Sequence, residues 1–338
     1  MITKIYRGLS KLKGLLVMCP LTVSLALLSC ENGDQTFDDF EGGTTVYFPY
    51  QYPVRTIVLG DDEYDTTLDK AHKCQIMATF GGSYNGSNGS VQVAVDETLV
   101  NNLYFDEDAT VPVKAMPSSY YQLSTTSLDF KGTMNGATEV QLTDAFFNDP
   151  DAVKNTYVIP LVMTGQSGFG KILTGSLLEG QSGLRTEADV WDVQPMDYVL
   201  YCVKFQNKYS GWWLTNGTTS TENIEKAQAV EVKTLSLNTC SYTVSHQEGA
   251  QIYQAELLLT FNGDNCTISS LTEGVTATGS GTWGDDTEKK AWGNKDRDGL
   301  ELNYTVDFGG GVSMTTHEKM VWQRSGVTIE EFTPVYKN

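Results

Sequence analysis

The sequence predicts an all-β protein, an immunoglobulin-like β-sandwich followed by a small closed antiparallel barrel. Three observations carry this. Thirty-two Gly and seventeen Tyr sit in a 338-residue chain with no long Ala/Leu/Glu/Lys-rich stretch, a composition of short strands and tight turns. Val91-Gln92-Val93-Ala94-Val95 alternates strictly, the mark of a half-buried strand. Asn-Gly pairs at Asn85-Gly86 and Asn88-Gly89 punctuate the runs, and such pairs favour tight turns.

The sandwich is expected over residues 44–164. Thr45-Val46-Tyr47-Phe48 opens it and Pro49 stops that strand. Residues 55–59, 74–80, 91–95, 123–130, 138–142 and 156–163 supply the next strands, with a short helix expected within 144–155. About seven strands at this spacing fit an immunoglobulin-like sandwich.

Residues 165–196 read as a Gly/Ser-rich linker. The barrel is expected over 197–338, from strands at 198–205, 229–237, 240–244, 253–261, 266–271, 275–283, 300–308, 312–321 and 328–336. Eight or nine antiparallel strands fit a small barrel, which removes exposed strand edges.

The first 29 residues read as an export signal. Lys4, Arg7, Lys11 and Lys13 precede an apolar run over 15–28. The run is short for a membrane span, which needs about 20 apolar residues. It ends in Leu27-Leu28-Ser29-Cys30, a pattern that resembles the bacterial lipobox and implies a lipid anchor on Cys30. Several acyl chains bury enough CH₂ groups for stable anchoring. Residues 30–43, with Glu31, Asp34, Asp38, Asp39 and Glu41, read as an acidic tether without apolar periodicity. An acidic stretch there resembles the surface-export signal of Bacteroidota lipoproteins. The expected location is the outer membrane, lipid-anchored and facing the exterior.

Loss of the leader lowers the 23 basic residues to 19, against 42 acidic ones, a formal −23. Such a field repels phosphate backbones and argues against nucleic acid as a partner. It disfavours anionic membrane surfaces too, so membrane contact is expected through the anchor alone. Cys74, Cys202, Cys240 and Cys266 form no CxxC pair, and only three His occur. A zinc site is therefore not expected. At most one disulfide fits among Cys202, Cys240 and Cys266, and a core place for each is equally open.

Residues 44–164 resemble the N-terminal domain of unknown function of many Bacteroidota surface lipoproteins. The likeness rests on Tyr47-Phe48-Pro49, Leu142 with Phe147-Asn148-Asp149-Pro150, and Thr156-Tyr157-Val158-Ile159-Pro160-Leu161. The second half resembles the calycin-like (lipocalin-like) barrel domain that often follows it. Its marks are the motif from Lys204 to Gly211 and Lys290-Ala291-Trp292-Gly293-Asn294-Lys295-Asp296-Arg297-Asp298. Such proteins are commonly encoded beside SusC/SusD-type glycan importers, so the resemblance implies surface glycan binding and such an importer as partner. In some relatives a glycosidase barrel follows the first domain. Here about 140 residues remain after the linker, against about 250 for a (β/α)₈ barrel.

An enzyme is not expected. Asp285-Asp286 and Asp61-Asp62-Glu63 lie beside Gly and read as turns, not as the placed carboxylates of a hydrolase. Gly165-Gln166-Ser167-Gly168 falls short of a nucleophile elbow. Asn294-x-Asp296-x-Asp298-Gly299 resembles the start of a calcium loop, but Thr305 stands where the bidentate Glu belongs, and a hairpin is the favoured reading. No cofactor or metal is expected.

Aromatics are the better clue, because sugar C–H faces stack on Trp and Tyr. Trp212, Trp213, Trp283, Trp292 and Trp322 all lie in the second half. Trp212 and Trp213 must face opposite ways if that stretch is extended. For any one Trp, packing in the barrel is the commoner role. The expected ligand site combines residues 208–214 and the loop 282–298. Trp212, Trp213, Trp283, Trp292 and Asp296 are its main candidates, with Asn207, Asn216, Asp285, Asp286 and Asn294 as polar neighbours. Three functions remain open: capture of glycan for uptake, adhesion to a protein or host surface, and binding of a small apolar ligand inside the barrel.

Overall fold

The computed structural model describes residues 38–61, 63–220 and 223–337. The export signal, Cys30 and most of the acidic tether lie outside the described residues.

The first half contains β1 (Thr45–Tyr47), β2 (Pro53–Val58), β3 (Lys73–Gly81), β4 (Ser90–Val95), β5 (Leu103–Tyr104), β6 (Lys114–Ala115), β7 (Tyr121–Leu123), β8 (Ser127–Asp129), β9 (Asn135–Leu142) and β10 (Tyr157–Ser167). A short helix, Asp144–Phe147, falls inside the expected 144–155 window. Then come β11 (Lys171–Ile172), β12 (Ser176–Leu177), β13 (Trp191–Val193) and β14 (Tyr198–Gln206). One sheet runs β11-β1-β3-β9-β7, and the facing sheet contains β2-β14-β10-β4-β8. Alternate residues meet between them: Cys74, Ile76, Ala78 and Phe80 from β3 against Ile159, Leu161, Val203 and Phe205 from β10 and β14. This is the sandwich core. Three of the sandwich pairings, β1 with β11, β2 with β14 and β6 with β10, are parallel.

The strand over 198–205 is the clearest departure from expectation. It is not a barrel strand but a central strand of the second sandwich sheet, between β2 and β10. Its apolar run lacks alternation because both faces are buried. Val199, Val203 and Phe205 enter the main core, whereas Leu200 and Cys202 enter a second cluster with Leu103, Val113 and Phe332 on the sheet's outer face. The stretch 165–196 is likewise not a plain linker. It completes β10, adds β11 to the first sheet and folds β12 with β13 into a hairpin.

The barrel closes from eight strands, β15 (Gly211–Thr219), β16 (Asn223–Ser236), β17 (Thr239–Glu248), β18 (Gln251–Asn262), β19 (Asn265–Ser270), β20 (Thr276–Glu288), β21 (Arg297–Gly309) and β22 (Val312–Arg324). Each pairs antiparallel with its neighbour, and β15 pairs with β22 to close the ring. Residues 328–336 are not a barrel strand. β23 (Glu330–Glu331) pairs with β2, and β24 (Val335–Tyr336) pairs with β5. The barrel is thus inserted between two segments of the sandwich, and its boundaries are near 211 and 324 rather than 197 and 338.

One end of the barrel is closed by the segment that leaves β14. Asn207 is buried, and its amide Nδ2 donates to the carbonyls of Ser236 (2.8 Å) and Thr239 (3.2 Å). Its Oδ1 accepts from the Tyr209 N–H at 3.1 Å. Tyr209 stacks flat on Phe261 with centroids 3.8 Å apart, and its hydroxyl donates to the Gly263 carbonyl. Gly211 follows at φ +123, where an added Cβ would lie 2.7 Å from the Arg324 carbonyl oxygen. Only glycine takes this turn into β15 without strain.

Inside the barrel, side chains fill the space, as an eight-stranded ring allows. Trp213, Leu257, Leu259, Leu302, Val306, Met320 and Trp322 form its core. All four described cysteines are buried and free, so no disulfide joins Cys202, Cys240 and Cys266. Burial pushes each thiol up to about 12.

One carboxyl sits in this interior. Glu318 is buried and accepts from the hydroxyls of Tyr242 (2.9 Å) and Tyr304 (3.2 Å). Burial outweighs these hydrogen bonds and pushes the carboxyl up to about 7. The folded state therefore holds a proton that the unfolded chain releases near the ordinary value of 4.5. Stability from this group is fully present below about pH 4.5 and is lost as pH rises through about 7.

Two predictions follow from this packing. Asn207→Ala removes this donor from two partly buried carbonyls and should cost about 1–3 kcal/mol in urea unfolding, with the far-UV spectrum unchanged at zero denaturant. Glu318→Gln keeps the shape and removes the titration. Its stability should match the wild type at pH 4.5 and exceed it by about 3 kcal/mol at pH 8; parallel pH profiles for the two proteins would refute the assignment.

Candidate functional site

The sequence-predicted tryptophans separate by face. Trp212 and Trp213 do point opposite ways on β15. Trp213 is 0% exposed in the barrel core, and Trp283 is buried beside Tyr209 with Lys208 Nζ 3.7 Å from its ring centroid. Neither can stack on a ligand, because β15 and β20 turn them inward with the alternation of their strands. Asn207 is likewise structural. Trp212 is half-buried on the outer wall, under the Arg324 guanidinium at 5.3 Å. Of the candidate tryptophans only Trp292 stands well out, at 47% exposure.

Trp292 is held on a tightly built loop. Lys289 Nζ pairs with Asp296 at 2.9 Å, and the Lys290 N–H donates to the other Asp296 oxygen at 3.1 Å. Arg297 Nε donates to the Trp292 carbonyl at 3.1 Å. Asp296 is therefore a loop fastener and not a free ligand-binding carboxylate. The pairing with Lys289 holds its carboxyl below the usual range.

The Asn294-x-Asp296-x-Asp298 pattern does not converge on one point. Asp298 instead turns to the sandwich, where its carboxylate lies within 4.8 Å of those of Asp61 and Asp285. Burial raises the Asp298 carboxyl to about 6, and the charges of Asp61, Asp285 and Asp286 add to this, against the Asp286 N–H that donates to it. Lys70 Nζ meets Asp61 at 3.0 Å and supplies positive charge there. These three carboxylates are the residues that could hold a divalent ion. They bring the barrel loop 284–298 close to the sandwich segment 61–70, with Lys70 as the nearby positive charge.

The same sandwich segment forms one wall of a groove. It has a volume of about 510 Å³ and is mostly apolar, lined by Tyr50, Arg55, Tyr64, Asp65, Tyr201 and Ile329 among others. Tyr50 is 60% exposed, Tyr64 75% and Ile329 fully exposed. The floor is rigid. Arg55 pairs with buried Asp69, which also accepts the Val58 N–H at 2.9 Å. Asp65 accepts from the Thr67 N–H (2.9 Å) and hydroxyl (2.6 Å), just ahead of the short helix Thr67–Lys70. Those bonds from Thr67 hold the Asp65 carboxyl below the usual range.

Sequence reasoning placed the site in the barrel and missed this groove. Tyr50 and Tyr64 lie in irregular segments with no motif around them, and Ile329 joins them from the other end of the chain. The one local signal was Tyr50-Gln51-Tyr52-Pro53, an aromatic cluster between prolines.

The family model for a domain of unknown function, DUF5627, matches residues 206–326, the barrel and its entry segment. A model described as an N-terminal domain matches residues 40–170. A comparison with curated proteins found no match. Among solved structures, a Bacteroides ovatus protein of unknown function, determined at 2.40 Å, aligns with 89% of this chain and 100% of its own. It is 33% identical, with a TM-score of 0.79. A multidomain Bacteroides ovatus protein including DUF1735 covers 82% of this chain and 93% of its own at 12% identity and a TM-score of 0.38. That score is too low to carry an argument. On the identity and full coverage of the first structure, the chain belongs to the family of that Bacteroides ovatus protein, a Bacteroidota family built from domains of unknown function.

Proposed function

We propose that this chain is a lipid-anchored outer-membrane protein that retains glycan at the sandwich groove, as a partner of a SusC/SusD-type importer and without chemistry of its own. The observation that carries the reading is the groove itself. Tyr50 and Tyr64 present exposed rings beside a wall of fixed polar groups, Arg55, Asp65 and Asp69. A mostly apolar concave surface with a few oriented polar groups is the usual form of a ligand site. Tyrosine suits it, because the ring stacks while the hydroxyl stays wet.

The carboxylates in the wall do not resemble a hydrolytic pair. Asp69 is engaged by Arg55 and the Val58 N–H, and Asp65 by the Thr67 N–H and hydroxyl. Retention without cleavage fits that arrangement. The barrel then serves as a scaffold rather than a ligand cup, since Trp213, Trp322 and aliphatic side chains occupy its interior. A second reading, an apolar protein partner, is favoured by one feature, the fully exposed Ile329 at the groove's lip.

Lipid attachment rests on Leu27-Leu28-Ser29-Cys30. Mass spectrometry of the membrane-extracted protein should find acyl chains on Cys30, and Cys30→Ala should release the chain from the membrane fraction. Persistence of that variant in the membrane would defeat the anchor.

The groove is tested by affinity gel electrophoresis on soluble xylan, β-glucan, galactomannan and amylopectin. At least one should retard the full chain. The double substitution Tyr50→Ala with Tyr64→Ala should remove that retardation with the thermal midpoint unchanged, since both rings are exposed. Ile329→Ser should leave it intact. No retardation on any polysaccharide, or full retention by the double variant, would overturn the reading.

A further inference from the structure

We infer that Trp292 is a second stacking platform on the same binding face, so that the ligand is a neutral glycan chain long enough to run from the sandwich groove to the barrel loop. The inference rests on the proposed glycan groove and extends it.

Two observations join the sites. The loop that carries Trp292 packs against the segment that forms the groove wall, through Asp285 and Asp298 against Asp61. Tyr64 and Asp65 of the groove follow Asp61 within four residues. Trp292 is 47% exposed, so ring surface is open to a ligand. Its loop is not slack: Lys290 and Asn294 adopt φ +47 and +57, a region that residues other than glycine rarely occupy. Hydrogen bonds from the Lys290 and Ala291 N–H groups and from Arg297 Nε keep the strained turn in place. Backbone strain sustained this way is found where a side chain is being presented.

Charge selects the class of glycan. A chain lying between the two platforms passes Asp61, Asp285 and Asp298. Beside the groove stand Asp65, Glu330 and Glu331, while Arg55 is already engaged by Asp69. Uronic or sulfated chains would face an excess of like charge along the path, where Lys70 and Lys204 pair only Asp61 and Glu330, whereas neutral hydroxyls donate hydrogen bonds to the same carboxylates.

The test uses the full chain in detergent, the neutral polysaccharide that retards it most, and that polymer's di- and hexasaccharides, with binding measured calorimetrically. Trp292→Ala should weaken the polymer and the hexasaccharide about five- to tenfold and leave the disaccharide within twofold, at an unchanged thermal midpoint. Tyr50→Ala with Tyr64→Ala should abolish binding of all three. Equal affinities of the Trp292 variant and wild type for the hexasaccharide would overturn the second platform while the groove stood. Loss of disaccharide binding in the Trp292 variant would overturn it too, by placing Trp292 in the primary site. Tighter binding of polygalacturonate than of the neutral polymer, with or without calcium, would overturn the neutral class. Failure of every neutral polymer to bind the wild type would remove the groove and this inference together.

Discussion

The amide of Asn207 carries a structural burden out of proportion to its size. It sits where the chain leaves the sandwich and enters the barrel, and from a buried position it satisfies two partly buried carbonyls at the turn between β16 and β17. Buried carbonyls without donors are costly, so the closure of the barrel at this end depends on one side chain that belongs to neither sheet. The neighbouring contacts have the same logic. Ser210 donates back to the Asn207 carbonyl at 2.9 Å, and Trp322 Nε1 donates to the Ser210 carbonyl at 3.3 Å. Gln206 Nε2 reaches the Ser325 carbonyl at 3.0 Å, joining the chain's entry into the barrel to its exit.

That junction follows from the insertion of the barrel into the sandwich. The chain enters through β14 and returns through β23, which flank β2 in one sheet, so the entry to the barrel and the exit from it lie a short distance apart. Burial on both faces explains why β14 and β10 are so apolar. Val158, Leu200 and Cys202 fill an outer cluster that the C-terminal Phe332 helps to cover. The C-terminal segment therefore stabilises the sandwich and not the barrel it follows in sequence.

The acidic character of the chain is distributed with consequences. Asp61, Asp285 and Asp298 meet at the junction of loop and sandwich, with Lys70 as their counter-charge, and Glu318 lies alone in the barrel between two tyrosines. The groups raised in these places are the ones taken from water. The groove is different: Asp69 is engaged by Arg55 and a backbone N–H, Asp65 by Thr67 and Glu330 by Lys204, and the rings of Tyr50 and Tyr64 stand exposed beside them.

Periodicity made most strands legible. The alternation in β3, β4 and β21 is local, and a half-buried strand must show it whatever it pairs with. The opposed faces of Trp212 and Trp213 follow from the same rule; the make-up of the barrel does not, since the expected strands at 198–205 and 328–336 lie outside it and β15 was not among those expected. Partnership was not legible. An unbroken apolar run such as Tyr198-Val199-Leu200-Tyr201-Cys202-Val203 states that both faces are covered, but not by which sheet, and only the tertiary fold assigned it to the sandwich. The site was hidden for a related reason. Burial of a Trp on a strand depends on what lies opposite, so Trp213 and Trp283 went to the core while Trp292 stayed in solvent. The groove joins Tyr50, Tyr64 and Ile329 from both ends of the chain, and no local pattern can encode a surface that exists only once β23 has returned to β2.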